Sequence, residues 1–369
     1  SRNKDSVFNF DYIIKAFDTG KPKDPNSEPY VISVVKIDLK KINFSFNDAL
    51  SKNDVKVKIQ QFDTKFEKFD LDKMNFDIPN INLDGLKVVL NQDLVEKIAE
   101  VSVKTVDTLS KRTDLSLKLK NIALKNINIV YDNKDSKLNT GVNFDQLNLI
   151  VNEVSLQKQL LDFDTFQLKN LKGNLVFGKK DEKIKTPTLD TTSIKQEGWK
   201  VKLNKADIQN VAFKFDDMKS PETKKGIDYA HLDLKDFNLQ AQKIDYNNEN
   251  ISGNINAFTV KEKSGLHVQE LKTNFFYGQK EAYLKNLYLK TPNTLLKNKV
   301  IVKYQSVENI SKDLENLVIE ADLNESKIAF QDILIVAPQL SDTNPFKSNP
   351  NAVLYVNTNL SGKLKDLDI

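Results

Sequence analysis

The chain has no cysteine, two histidines, one tryptophan, and only two arginines, Arg2 and Arg112, among its 55 basic residues. Each scarcity removes a class of chemistry. Without cysteine there is no disulfide framework, no thiol nucleophile and no thiolate-ligated zinc or iron–sulfur centre. Arginine is the residue suited to bidentate reading of phosphate or guanine, so a chain with lysine in its place is a poor nucleic-acid partner. His231 and His267 stand alone, with no second histidine or acidic cluster at ligand spacing, and neither a metal site nor a Ser-His-Asp arrangement can be built around them. The 11 glycines form no phosphate-cradling loop. Acid pairs such as Asp162 and Asp164 suit a glycosidase in principle, but a chain with 51 acidic residues carries such pairs by chance. No catalytic residue, metal or cofactor is predicted. No apolar run reaches the about 18 residues that a membrane-spanning helix needs.

What is present is alternation. Lysines and acids are interleaved and nearly cancel, leaving a net charge of +4, the mark of a solvated face rather than of a surface that steers polyanions. Between them the apolar residues recur at every second position, the period of a strand with one wet and one dry side. Leu117 and Leu119 alternate with Lys118 and Lys120, and Phe213 and Phe215 flank Lys214.

A longer pattern is superimposed on the alternation. Two apolar residues two apart are followed by a polar pair and then by two more apolar or small residues. The polar pairs are Lys40-Lys41, Pro79-Asn80, Lys125-Asn126, Lys169-Asn170, Gln209-Asn210, Lys235-Asp236, Lys285-Asn286 and Gln331-Asp332. The eight copies begin at Ile37, Phe76, Ile122, Phe166, Ala206, Leu232, Ala282 and Ile328, at steps of 26 to 50 residues, which is an irregular internal repeat. An extra residue in a strand of period two sends every later side chain to the wrong face unless the backbone absorbs it, and a β-bulge does so. A tight hairpin turn at these pairs is disfavoured, because two-residue turns prefer Asn-Gly or Asp-Gly. Repeated bulges twist and curl a sheet. Two stretches break the strand period and predict short helices, Asp93 to Leu109 and Ser306 to Leu317.

The bulged strands, the phrase Ser264-Gly265-Leu266-His267-Val268, the segment from Ala282 to Thr294 and the turn Asp84-Gly85-Leu86 resemble the AsmA/TamB family of bridge-like envelope proteins, in the form typical of Bacteroidetes. The resemblance runs over essentially the whole chain. It implies a long periplasmic sheet folded into a taco-like groove, an inner-membrane anchor through an N-terminal helix, and phospholipid transfer to the outer membrane. In the TamB branch it further implies an outer-membrane β-barrel protein of the Omp85 type as partner. Neither the anchor nor the family's C-terminal domain is found in the sequence, so residues 1–369 read as a single elongated fragment of a longer chain.

The expected fold is thus all-β: a long, curled, mainly antiparallel repeat sheet forming a hydrophobic groove, with one or two short helices. About 25 strands about 4.8 Å apart make a sheet of order 120 Å long. Ile37, Leu39, Ile42, Phe44, Ile122, Leu124, Ile127 and Ile129 are predicted to line the groove. So are Val211, Phe213, Phe215, Leu234, Phe237, Leu239, Leu284, Leu287 and Leu289. Lifting a diacyl lipid out of a membrane exposes on the order of 30 CH₂ groups at about 0.8 kcal/mol each, so a transfer path has to stay apolar without gaps. The expected function is a conduit carrying phospholipid between inner and outer membrane in support of outer-membrane biogenesis. A structural or adhesive β-rich binding module is the alternative. A parallel β-helix enzyme acting on polysaccharide comes third, since uneven repeat steps argue against regular coils. A single elongated sheet predicts a radius of gyration well above the about 21 Å of a compact domain of this length; small-angle scattering measures it.

Overall fold

Alternating apolar and polar residues give strands over most of the described chain. The computed structural model describes residues 1–4, 7–9, 11–12, 33–71, 73–93, 116–179, 198–307, 310 and 316–363. The predicted helix from Asp93 to Leu109 lies almost wholly outside the described residues, as does most of the one from Ser306 to Leu317. The chain divides into two compact units: Ser1–Gln146 with Gly173–Thr186, and Leu147–Lys172 with Pro187–Ile369.

Unit 1 contains β1 (Lys36–Asp48), β2 (Asn53–Lys65), β3 (Lys68–Asp70), β4 (Asn75–Gln92) and β5 (Ser116–Asn133). The division falls inside β6 (Leu138–Ser155). Next come β7 (Leu160–Lys169), in unit 2, and β8 (Lys172–Phe177), which lies in unit 1 from Gly173 onward. Unit 2 continues with β9 (Lys200–Asp217), β10 (His231–Tyr246), β11 (Asn250–Glu262), β12 (His267–Val268), β13 (Glu270–Gly278), β14 (Glu281–Lys290) and β15 (Leu295–Lys303). It closes with β16 (Val318–Asp322), β17 (Ser326–Ala329), the helix α1 (Phe330–Val336), a 3₁₀ turn at Pro338–Asp342, β18 (Val353–Val356) and β19 (Asn359–Lys363). The fold is all-β with little helix. In unit 1, β1 pairs with β2 and β2 with β4 in antiparallel fashion, and β4 pairs with β5 in parallel. In unit 2 the parallel pair is β7 with β9, and the antiparallel ladder runs β9–β10–β11–β13–β14–β15–β16–β19.

The polar pairs are where the backbone turns left-handed. Lys41, Asn126, Asn170, Asn210, Asp236 and Asn286 have φ between 51° and 56°, a conformation that Asn and Asp tolerate better than other side chains. At Asn286 the step is a true bulge: Lys272 faces Tyr288 and Asn274 faces Lys285, so Thr273 alone stands opposite both Asn286 and Leu287. The Thr273 hydroxyl donates to the Lys285 carbonyl at 3.0 Å, satisfying an oxygen that the bulge takes out of the ladder. In unit 1 the same step is shared by neighbours. Gly85 (φ 69°) lies level with Asn126 (φ 53°), and the β4–β5 register is the same on either side. Across β2 the Gly85 position approaches Gln60 so closely that a Cβ would lie 2.5 Å from the Gln60 Cβ, which leaves glycine as the residue that fits.

Two copies depart from the predicted pattern. Asn80 has no left-handed turn, and the register sets Lys125-Asn126 against Asp84-Gly85 rather than against Pro79-Asn80. The eighth copy is not a bulged strand: Phe330, Ile333 and Leu334 also satisfy helical spacing, and the chain takes it as α1 after β17 ends. Asp332 in its first turn suits the helix dipole and accepts from the Thr291 hydroxyl at 2.6 Å. Phe330 is buried with its ring 4.5 Å from that of Phe346.

Removing Asn286 would send Leu287 and Leu289 to the opposite face of unit 2, so its deletion should cost several kcal/mol. Asn286→Gly should stay within about 1 kcal/mol, and Asn126→Val should cost about 1–2 kcal/mol because a β-branched residue resists the left-handed backbone. Urea unfolding measures all three.

Candidate functional site

In unit 1 the paired positions stack into apolar rows across four strands. Leu39 faces Phe62, which faces Leu83, which lies beside Leu124. One level on, the row is Ile42, Ile59, Leu86 and Ile127, and the next is Phe44, Val57, Val88 and Ile129. Directly paired residues share a face, so rows on both sides of the polar pairs stay on one side of the sheet. A fourth row, Ile37, Thr64, Ile81 and Ile122, is interrupted by one hydroxyl, which donates to the Asn80 carbonyl at 2.7 Å. All eight residues predicted in this part of the chain are therefore brought together. Their partners on β2 and β4 were not singled out from the sequence, although the same alternation marks them.

Unit 2 brings its predicted residues into two patches. On β9 and β10, Val211 faces Phe237 and Phe213 faces Leu234, while Leu239 faces Ile208 on one side and Phe258 on the other. Phe215 faces Leu232. On β14, Leu284 lies between Phe275 and Val300, and Leu289 between Leu271 and Leu296. A further row, Phe166, Ala206, Ala241, Ile255 and Thr273, runs from β7 to β13 and meets Leu287 at the bulge. The apolar face ends at Glu262, which stands opposite Leu234. Burial pushes the Glu262 carboxyl up, but donation from the Ser264 and Asp233 amides, at 2.7 Å and 3.1 Å, holds it below its ordinary value and hence charged.

Burial along these rows is uneven. Ile127 and Leu287 are 2% and 3% exposed, whereas Phe44 is 53% exposed; Ile42 is also exposed and the remaining predicted residues are half-buried. Exposed apolar residues grouped on one face are a feature of interaction surfaces.

The opposite face is stitched by amides. The Asn126 side chain donates to Asp84 at 2.7 Å and that of Asn121 to Asn80 at 3.0 Å. In unit 2, Asn204 donates to Asp164 at 3.0 Å and Asn210 to Asn170 at 2.8 Å. Donation by Asn204, and then by Thr165, lowers the Asp164 pKa. Exposed pairs such as Lys261 with Asp236 at 2.7 Å and Lys303 with Glu320 at 2.7 Å complete this wet side, each contributing little to stability. Among the described residues no group of three His, Asp or Glu side chains is placed to hold a metal, and no helix is long and apolar enough to cross a membrane. No known family model and no curated protein matches the chain.

If the exposed rows lack a protein partner, Phe44→Ser should lower stability by no more than about 1 kcal/mol, while Leu287→Ala should cost about 2–4 kcal/mol. Thermal and urea unfolding of the two variants separates the cases.

Proposed function

We propose that the apolar faces of the two units carry phospholipid acyl chains, and that the protein belongs to the AsmA/TamB kind of bridge-like lipid conduit, working in the periplasm. The observation that carries this reading is the set of rows in unit 1. Five apolar residues of β1, Ile37, Leu39, Ile42, Phe44 and Phe46, lie along one face and are half-buried or exposed. They span about 30 Å at strand rise, against about 15 Å for the hydrocarbon of one leaflet. An acyl chain laid along the strands meets methyl and phenyl groups at each level, with the lysines and acids behind the sheet. The polar pairs do not interrupt it, because the left-handed residue resets the alternation.

The same features suit a carrier rather than a tight binder. Rows of equivalent residues give a sliding hydrocarbon many similar positions and no single deep site. On this reading the inner-membrane anchor and an Omp85-type outer-membrane barrel are the expected attachments, and supply of lipid to the outer membrane is the expected role.

Native mass spectrometry and lipid extraction of the purified chain test the proposal. Phospholipid should co-purify, and Phe44→Asp or Phe213→Asp should reduce the bound lipid by tenfold or more, since an uncompensated charge opposes hydrocarbon by several kcal/mol. The wet-face changes Lys58→Asp and Lys87→Asp should leave it unchanged. Equal behaviour of the two sets, or a chain that carries no lipid, would overturn the conduit in favour of a structural or adhesive module.

A further inference from the structure

The connection between β9 and β10, residues 218–230, is folded on buried polar groups rather than on apolar ones. Asp228 accepts from the Thr223 amide at 2.8 Å and from the Ala230 amide at 3.1 Å, and Asp217 accepts from the Lys219 amide at 3.2 Å. Beneath them lies the His231 ring, 3% exposed. Its Nδ1 is 3.3 Å from an oxygen of Asp216, and its Nε2 is 3.0 Å from the Ser220 carbonyl oxygen. A carbonyl can only accept, so the Ser220 contact calls for a hydrogen on Nε2, and Nδ1 can donate to the Asp216 carboxylate at the same time only when it too carries one. Both hydrogens are present together only in the imidazolium.

The far side of the same connection is seated on α1. The Ile227 amide donates to the Ile335 carbonyl at 3.1 Å, and the Lys225 ammonium donates to the Ser341 hydroxyl at 3.2 Å. Gly226 (φ 74°) passes so near that a Cβ would lie 2.7 Å from Pro338 and 2.9 Å from the Ile335 oxygen. These contacts form one wall of a cleft of about 620 Å³, whose other walls include Ser264, Asn293 and Leu334.

We propose that His231 is a pH-sensitive latch: its imidazolium holds residues 218–230 against α1, and loss of the proton releases them and opens the cleft. A neutral ring has one N–H. If Nε2 keeps it, a lone pair on Nδ1 faces the Asp216 carboxylate; if Nδ1 keeps it, the Ser220 carbonyl faces a lone pair instead. Charged groups around the ring favour the closed state: Asp216 on β9, and Glu222 and Asp228 on the connection, with Lys263 of the β11–β12 turn acting on Asp228. The Ser220 carbonyl first, and then these acids, raise the His231 pKa against the opposing effect of burial. A raised folded-state value places the full stabilisation below about pH 6.5, the unfolded value, and removes it as pH climbs through the folded one.

Hydrogen exchange on the full chain, corrected for intrinsic chemistry, tests the latch between about pH 5.5 and 9. Protection of the Ile227 amide should be level at the acid end and then fall by up to about tenfold per pH unit, the slope of one linked proton. Amides of the β13–β14 ladder should show no such break. In His267→Asn, where His231 is the remaining histidine, its ring signal should titrate above pH 6.5. His231→Gln should give a pH-independent profile at Ile227, and Asp216→Asn should move the break to lower pH. A level profile in the unaltered chain, a ring titrating at or below 6.5, or a break that survives unmoved in Asp216→Asn would overturn the proposal, even where His231→Gln fails to fold.

Discussion

Everything in these sheets depends on keeping the dry side dry through an odd number of residues. A strand that inserts one residue between two apolar runs must either turn its second run to water or spend one residue in a left-handed conformation. Here it takes the second course at Lys41, Asn126, Asn170, Asn210, Asp236 and Asn286. Because neighbours step at the same level, as Gly85 and Asn126 do, the rows on either side remain aligned. Where a neighbour does not step, as with Thr273 opposite Asn286 and Leu287, a hydroxyl satisfies the carbonyl that the mismatch leaves over.

The faces so built are held more by backbone ladders and side-chain amides than by a packed core. The best-buried apolar residues, such as Ile127, Ala206, Ala241 and Leu287, lie within strand rows, and Phe330 of α1 is buried against Phe346. An acyl chain seated on the rows would supply the burial that the protein itself omits, about 0.8 kcal/mol for each CH₂ covered. On the proposed reading, the protein would gain stability from its cargo.

Most of this was legible in the sequence, because period-two alternation and the polar pairs are local signals. The left-handed steps at Asn126, Asn210 and Asn286 follow from counting residues between apolar positions. What was not legible depends on partners distant in sequence. Pro79-Asn80 reads like the other pairs, yet the level that matches Lys125-Asn126 is Asp84-Gly85, and only the parallel register of β4 and β5 reveals this. The eighth copy reads equally as strand or helix, and it was decided by contacts with Thr291 and Phe346. The joining of His231 to Asp216 and Ser220 rests on a hairpin register that no motif announces.

The parallel pairs share nearly the same spacing. Residues of β4 lie beside residues of β5 exactly 41 positions later, and those of β7 beside residues of β9 that are 40 positions later. In both pairs an asparagine side chain reaches back across that offset, from Asn121 to Asn80 and from Asn210 to Asn170. Such agreement is what an internal repeat of about 40 residues would give. A sheet built of such segments contacts itself only between neighbours, so whole segments can be added or removed, and the number of strands becomes a quantity independent of any one side chain.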